Sequence, residues 1–445
     1  HTTLLLALKS GGRDRDQNQR PQVGCCSISR CSCCSFWRCS CCSISCTRWM
    51  QLKHPLLATE EVPREKPPRL GLIDVAKGVL IYCVVLYHTT VVYTSADRPE
   101  ASIAFWSGLL AVMKAVVMPC FCLISGKLSS QELDEKHARR LFTQFTTYLI
   151  FQGLYFVQKM LAFRLNGFEF DSLPVRLFTP PEQVVTWFLL ALLLWRATVP
   201  LIRKTRAPLL LSVALGLGSS FVDLGVNYQN IFSFMPYFVF GTLTEDRHWE
   251  MLSRRAVRLS FAAVFTGVTA GVLLFSVCGG HTFDIFFTQV TLTYSCFNGN
   301  PPEKTPMVCA TFAEFLMRAV WYVASMPLIV GFLCVLPHAA PPLAYFGAVS
   351  MYIYLLHPLL LYNPLVMKYT FDTLSSLYGR EVNVWSPATE GWTVAVIMPI
   401  VLLGCALLGL PLTRRVFWVL VEPPVEEWIF KPLPSAGAPH VPAST

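Results

Sequence analysis

Apolar residues fall into about ten runs of the length a bilayer demands, roughly twenty residues at 1.5 Å of helical rise each. Leu72 to Tyr93, Ile103 to Lys127, Leu141 to Phe163, Val184 to Ile202 and Pro208 to Val222 open the series. Ile231 to Leu243, Ala256 to Val277, Phe312 to Leu336, Pro342 to Val366 and Trp392 to Leu412 complete it, the fifth and sixth being the shortest. Interior prolines at Pro119, Pro236, Pro327, Pro358 and Pro399 would break soluble helices. A membrane bundle accommodates them, because neighbouring helices and ordered water satisfy the freed backbone groups. The pattern predicts an all-α, polytopic transmembrane bundle of about ten helices.

Basic residues set the expected orientation, since loops rich in Lys and Arg stay in the cytoplasm. Arg64, Lys66 and Arg69 precede the first run. With that end inside, Lys136, Arg139 and Arg140, then Arg203, Lys204 and Arg206, then Arg247, Arg254, Arg255 and Arg258, and finally Arg414 and Arg415 all fall on the cytoplasmic side. Both termini are then cytoplasmic. The net charge of +9 is explained by this anchoring and calls for no nucleic-acid partner. Hydrophobic residues make up 53% of the chain and charged ones 14%, too greasy a balance for a soluble domain of this length. An integral, multi-pass protein of the plasma membrane or of an endomembrane such as Golgi or ER is expected.

Residues 1–68 differ in kind. Nine of the 17 cysteines lie between Cys25 and Cys46, interleaved with Ser and Arg, and no apolar period lets the segment build a core. It reads as a disordered leader, followed by a membrane domain at 69–412 and a cytoplasmic tail at 413–445. The stretch from Cys25 to Cys46 has no His and no clean paired CxxC architecture, so palmitoylation or plain low complexity suits it better than zinc. Between the seventh and eighth runs, Cys278, Cys296 and Cys309 sit on the outer side, where one disulfide can form and leave an odd thiol. No outer loop carries an N-x-S/T acceptor.

The first run, RLGLIDVAKGVLIYCVVLYHTT, carries Asp74, Lys77 and His88. Ionisable groups inside a bilayer are costly and mark functional sites by default. Lys77 and His88 are eleven residues apart, three turns plus about 20°, so both project from one face roughly 16 Å apart, with Asp74 about 40° off that line. A polar stripe of this kind faces a bundle interior or a water-filled cavity. His88, in the outer half of the membrane, can act as a neutral base or satisfy a neighbouring carbonyl. Lys77 can snorkel to the headgroups, pair with Asp74 or touch a ligand phosphate. His357, in SMYIYLLHPLLLYNP, lies at a matching depth, and Pro358 behind it leaves the Tyr354 carbonyl without its helical donor. MPCFCLISGKL places Ser125 and Gly126 where a helix or ligand backbone can approach closely. Glu314 and Arg318 have the spacing of a structural i, i+4 pair. No G-x-S-x-G, H-E-x-x-H or P-loop occurs, so serine hydrolase, zincin and nucleotide-hydrolase readings lack support.

LIDVAKGVLIYCVVLYH resembles the opening helix of the membrane acyltransferase 3 family, whose members usually show Arg or Lys, ten residues, then His, met here by Lys77 and His88. MPCFCLISGKL is similar to the family's second-helix block ending in Ser-Gly, followed by a basic connection. VTWFLLALLLWR, FMPYFVFGTL and SMYIYLLHPLLL resemble later blocks in family order. Lys in place of Arg looks most like the branch around fucose 4-O-acetylases. The resemblance implies transfer of an acyl group, usually acetyl from acetyl-CoA, to a hydroxyl of a carbohydrate, glycolipid or small molecule, with no metal. His88 would deprotonate the acceptor or carry the acyl group, His357 would orient it or share the proton, and Asp74 completes the candidate catalytic set. Lys77, Ser125, Gly126, Arg139 and Arg140 are the candidate acyl-CoA contacts. A transporter or proton-coupled carrier buries the same residue types along a helix and is the second reading. Other membrane acyltransferases, of the heparan-glucosaminide N-acetyltransferase or membrane-bound O-acyltransferase type, predict neither the Lys77 and His88 spacing nor the YLLHP block.

Overall fold

The structure, a computed structural model, describes residues 71–94, 104–129, 132, 134–165, 185–222, 224, 226–278, 311–361 and 387–430. The Cys-rich leader, Arg64, Lys66, Arg69, the loop cysteines Cys296 and Cys309, and the end of the tail lie outside the described residues. Every element among those described is helical: α1 (Gly71–Thr94), α2 (Ala104–Lys127), α3 (Glu135–Leu165), α4 (Thr186–Ile202) and α5 (Pro208–Gly218) with a closing 3-10 turn at Ser219–Phe221. Then come α6 (Val226–Leu243), α7 (Asp246–Met251), α8 (Arg255–Val277), α9 (Thr311–Val335), α10 (Pro341–Ala348), α11 (Ser350–Leu361), α12 (Pro387–Gly409), α13 (Pro411–Val421) and α14 (Val425–Ile429). Helices α1, α2, α8 and α9 are long and apolar enough to cross a membrane, and the bent pairs α10 with α11 and α12 with α13 raise the number to six. This is a multi-pass, all-helical membrane protein. The other expected spans fall short of that test for local reasons: α3 opens on charged turns, α4 and α5 are short, and α6 carries Asn227, Gln229, Asn230 and Ser233.

The ninth apolar run is not one helix. It breaks at Val349, where α10 and α11 meet at 71°. The tenth ends at Gly409, with Pro411 opening α13 after a bend of 68°, as expected of a residue that cannot continue a helix but is pre-set for a first turn.

Two glycine crossings fix the bundle. At Gly78 and Gly347, α1 and α10 touch backbone to backbone: a Cβ on Gly347 would run into the Asp74 carbonyl, and one on Gly78 into the Leu343 carbonyl. Gly126 and Gly241 bring α2 and α6 together in the same way, against the Phe238 and Leu123 carbonyls. Without a hydrophobic drive between helices in lipid, such close approach is what holds them. Lys127 secures the second crossing, reaching the Thr244 carbonyl at 3.0 Å and Asp246 at 2.8 Å. In contrast, α8 turns Leu259, Val264, Val268 and Leu274 outward, a face suited to acyl chains rather than water.

Side chains that reach across to backbone carbonyls hold the centre. The Trp195 indole donates to the Ile231 carbonyl at 2.9 Å, and the buried Tyr155 hydroxyl donates to the Leu355 carbonyl at 2.6 Å, tying α3 to α11. Tyr155→Phe is expected to cost about 1 kcal/mol, read as an earlier thermal transition of the detergent-solubilised protein. An unchanged transition would show that this bond does not fasten α11.

Candidate active site

His88 and His357 meet in the interior. Their ring centroids lie 5.4 Å apart with an interplanar angle of 35°; His88 is 8% exposed and His357 not at all. The shared depth read from sequence therefore corresponds to actual contact between α1 and α11. Nδ1 of His357 lies 3.0 Å from the Ile353 carbonyl, with the Tyr354 carbonyl beside it. The latter is the group that Pro358, lacking an N–H, leaves without a helical donor. A carbonyl can only accept, so Nδ1 carries the proton and Nε2 presents its lone pair. That Nε2 is buried and, among the described residues, has no hydrogen-bond partner. An isolated acceptor of this kind in a closed interior is poised to take a proton from something that enters.

A cavity of ≈ 210 Å³ lies below the pair. Lys77 and Ile81 of α1, Ser125 and Phe121 of α2, Phe188, Leu192 and Arg196 of α4, and Ser350 and Tyr354 of α11 are among the residues that line it. The bend at Val349 makes this possible, because it turns α11 so that Ser350, Met351 and Tyr354 face the cavity. Neither histidine lines it. Tyr354 links the two, with its ring 6.1 Å from that of His357 and 5.6 Å from that of Phe188. Its hydroxyl donates to the Val185 carbonyl. Phe121, Phe188 and Tyr354 thus form an aromatic partition between a basic mouth and the histidines. Between Lys77 and His88, the α1 face carries Ile81 and Val84, both buried. The stripe expected from sequence is polar at its ends and apolar in the middle.

The other candidates separate cleanly. Asp74 pairs with Lys77 at 3.7 Å, fourteen residues before His88 and so about 21 Å below it along α1. It balances charge at the mouth and cannot reach an atom held by the histidines. Ser125 lines the cavity, while Gly126 faces α6 at the helix crossing. Arg139 is buried, bonds Glu135 at 2.6 Å and sits 4.9 Å over the Phe430 ring, which makes it a clasp between α3 and the tail. Arg140 is exposed. Arg318 is fully buried beyond the aromatic core and donates to Ser220 and to the Gly216 carbonyl at 3.4 Å. Among the described residues no group of three or more His, Cys, Asp or Glu is gathered as for a metal.

Arg196 and Tyr354 are among the cavity residues that the sequence reading missed. An arginine inside an apolar run with no acid within a helical turn of it was the available signal for the first. Tyr354 gave none beyond its place one turn before His357.

The family model described as an acyltransferase domain matches residues 71–410. The chain belongs to the acyltransferase 3 family. This acyltransferase domain takes in every element from α1 to α12, and so the histidine pair, the cavity and both glycine crossings. No curated protein and no solved structure matches the chain.

Proposed function

We propose that this acyltransferase moves an acyl group, usually acetyl, from acyl-CoA to a hydroxyl of a carbohydrate, glycolipid or small molecule, within a ten-span domain whose termini are cytoplasmic. The observation that carries the reading is the lone His357 Nε2 set against His88. The thioester enters through the basic mouth, and its arm follows the apolar wall of Ile81, Phe121 and Leu192 past Tyr354. An acceptor hydroxyl meets the pair from the other side.

His357 then removes the hydroxyl proton as the oxygen attacks the thioester carbonyl. The C–O bond forms, the C–S bond breaks, and the imidazolium returns its proton to the leaving thiolate. His88 shares the charge of the imidazolium or positions the carbonyl. These roles exchange those drawn from the sequence, and the contact of His357 Nδ1 with the Ile353 carbonyl supports them, since it favours the tautomer whose lone pair is on Nε2. The fucose 4-O-acetylase-like branch makes a sugar hydroxyl the first acceptor to try.

The test is full-length protein in nanodiscs, supplied with acetyl-CoA labelled in the acetyl group and a lipid and glycan extract. Labelled acceptor one acetyl heavier by mass spectrometry, with release of CoA, is the expected outcome. No CoA release, together with solute flux in liposomes lacking any donor, would replace the enzyme with a carrier.

A further inference from the structure

Several basic side chains of the bundle are engaged by the protein's own acids, carbonyls or rings. Arg139 meets Glu135 and Phe430, Arg258 donates to the Cys334 and Leu336 carbonyls at 2.9 and 3.1 Å, and Lys127 meets Asp246. Arg196, like Arg258, has neutral partners, Gln144 Oε1 at 2.6 Å and Ser129 Oγ at 3.4 Å, but unlike Arg258 it lines the cavity. Among the described residues no carboxylate pairs with it, and Arg140 adds a second positive charge close enough to act on it. A cation withdrawn from bulk water without a counter-charge is costly, and an anion that enters relieves the cost.

Its placement is as deliberate as its isolation. Pro200 has no N–H to give the Arg196 carbonyl one turn before it, and His137 Nε2 fills the gap, donating to that carbonyl at 3.1 Å. His137 is itself set by its backbone N–H on Asp134 at 2.7 Å. Gln144 holds the guanidinium with its oxygen while its amide donates to the Leu189 carbonyl at 3.0 Å. Two donors of the planar fork are used in this way, and the rest remain for a ligand in the cavity that Arg196 and Lys77 line together. Fork geometry matches phosphate oxygens two at a time, and a point charge such as Lys77 supplements it.

We propose that Arg196, held by Gln144 and by the His137 bond to its carbonyl, is the phosphate-binding residue of the cavity mouth and takes, with Lys77, a phosphate of the thioester donor. This rests on the acyl-CoA reading above. The same chemistry is offered by a phospholipid headgroup, and the test separates the two.

Arg196→Gln is expected to raise KM for acetyl-CoA by about 10- to 100-fold with kcat little changed. Slow turnover of S-acetylpantetheine, which has no phosphate, should be unaffected, and Arg196→Lys should recover part of the loss. An unchanged KM for acetyl-CoA, or an equal loss with S-acetylpantetheine, overturns the assignment. Binding of desulfo-CoA, which cannot react, keeps this apart from the parent reading. Should the unaltered protein bind no desulfo-CoA, the donor reading fails by itself; Arg196-dependent binding of glycerophosphoglycerol would then assign the site to a lipid headgroup, and its absence would remove the site.

Discussion

Replacing His357 with Gln is expected to lower acyl transfer by about 10²- to 10⁴-fold, the range over which a positioned general base contributes. The fold should survive, because this side chain bonds carbonyls of its own helix, Ile353 at 3.0 Å with Tyr354 beside it; the ties from α3 to α11 run through Tyr155 and Gln158 to backbone carbonyls. Glutamine keeps the size and a donor for that carbonyl but offers no basic nitrogen. Its effect should fall on kcat, with binding of desulfo-CoA retained, since Lys77 and Arg196 lie at the far end of the cavity. His88→Gln should also be severe, and the double variant no worse than His357→Gln alone, as groups that act as one unit are not additive. Activity of His357→Gln within a few-fold of the unaltered protein would remove the histidine pair from the chemistry.

The fold class was legible because helical periodicity and run length are local properties. The tenth run was drawn through Pro411 to Leu412, although proline marks where a helix cannot continue and the bend falls just before it. The bend at Val349 had no such marker in the sequence. It lies beside the close approach of Gly347 to the Asp74 carbonyl, a contact across more than 270 residues that no window of sequence contains. For the site, Lys77 and His88 were placed on one face by counting, and the matching depth of His357 anticipated its meeting with His88. Asp74 was drawn in by the same count, although helical rise puts it a cavity's length away. Arg139 and Arg140 were put forward, and Arg196 was not considered, because flanking basic residues look available in sequence, whereas the contacts of Glu135 and Phe430 with Arg139 are seen only in three dimensions. The tautomer of His357 was half visible: Pro358 predicted a freed carbonyl, but not that the imidazole beside it would be the group to use it.

The largest structural effect is expected from Gly347→Val. The obstacle to a side chain there is the backbone of α1 at Asp74, which has no rotamer to yield, so the two helices must part. Overpacking of this kind costs about 1–3 kcal/mol, sometimes more. A wider crossing shifts α10, and α11 follows it through the bend, carrying Ser350, Tyr354 and His357 away from α1. Activity should therefore fall further than stability alone explains. Gly267→Ala provides the control, since a Cβ on Gly267 of α8 meets nothing within 4 Å; it should leave turnover unchanged and raise the thermal transition slightly, as alanine is the better helix former. Thermal unfolding followed by tryptophan fluorescence, with turnover measured on the same preparation, compares the two. If Gly347→Val unfolds and turns over like the unaltered protein, then the α1 and α10 crossing does not set the distance between the histidines, and another contact must hold α11 against α1.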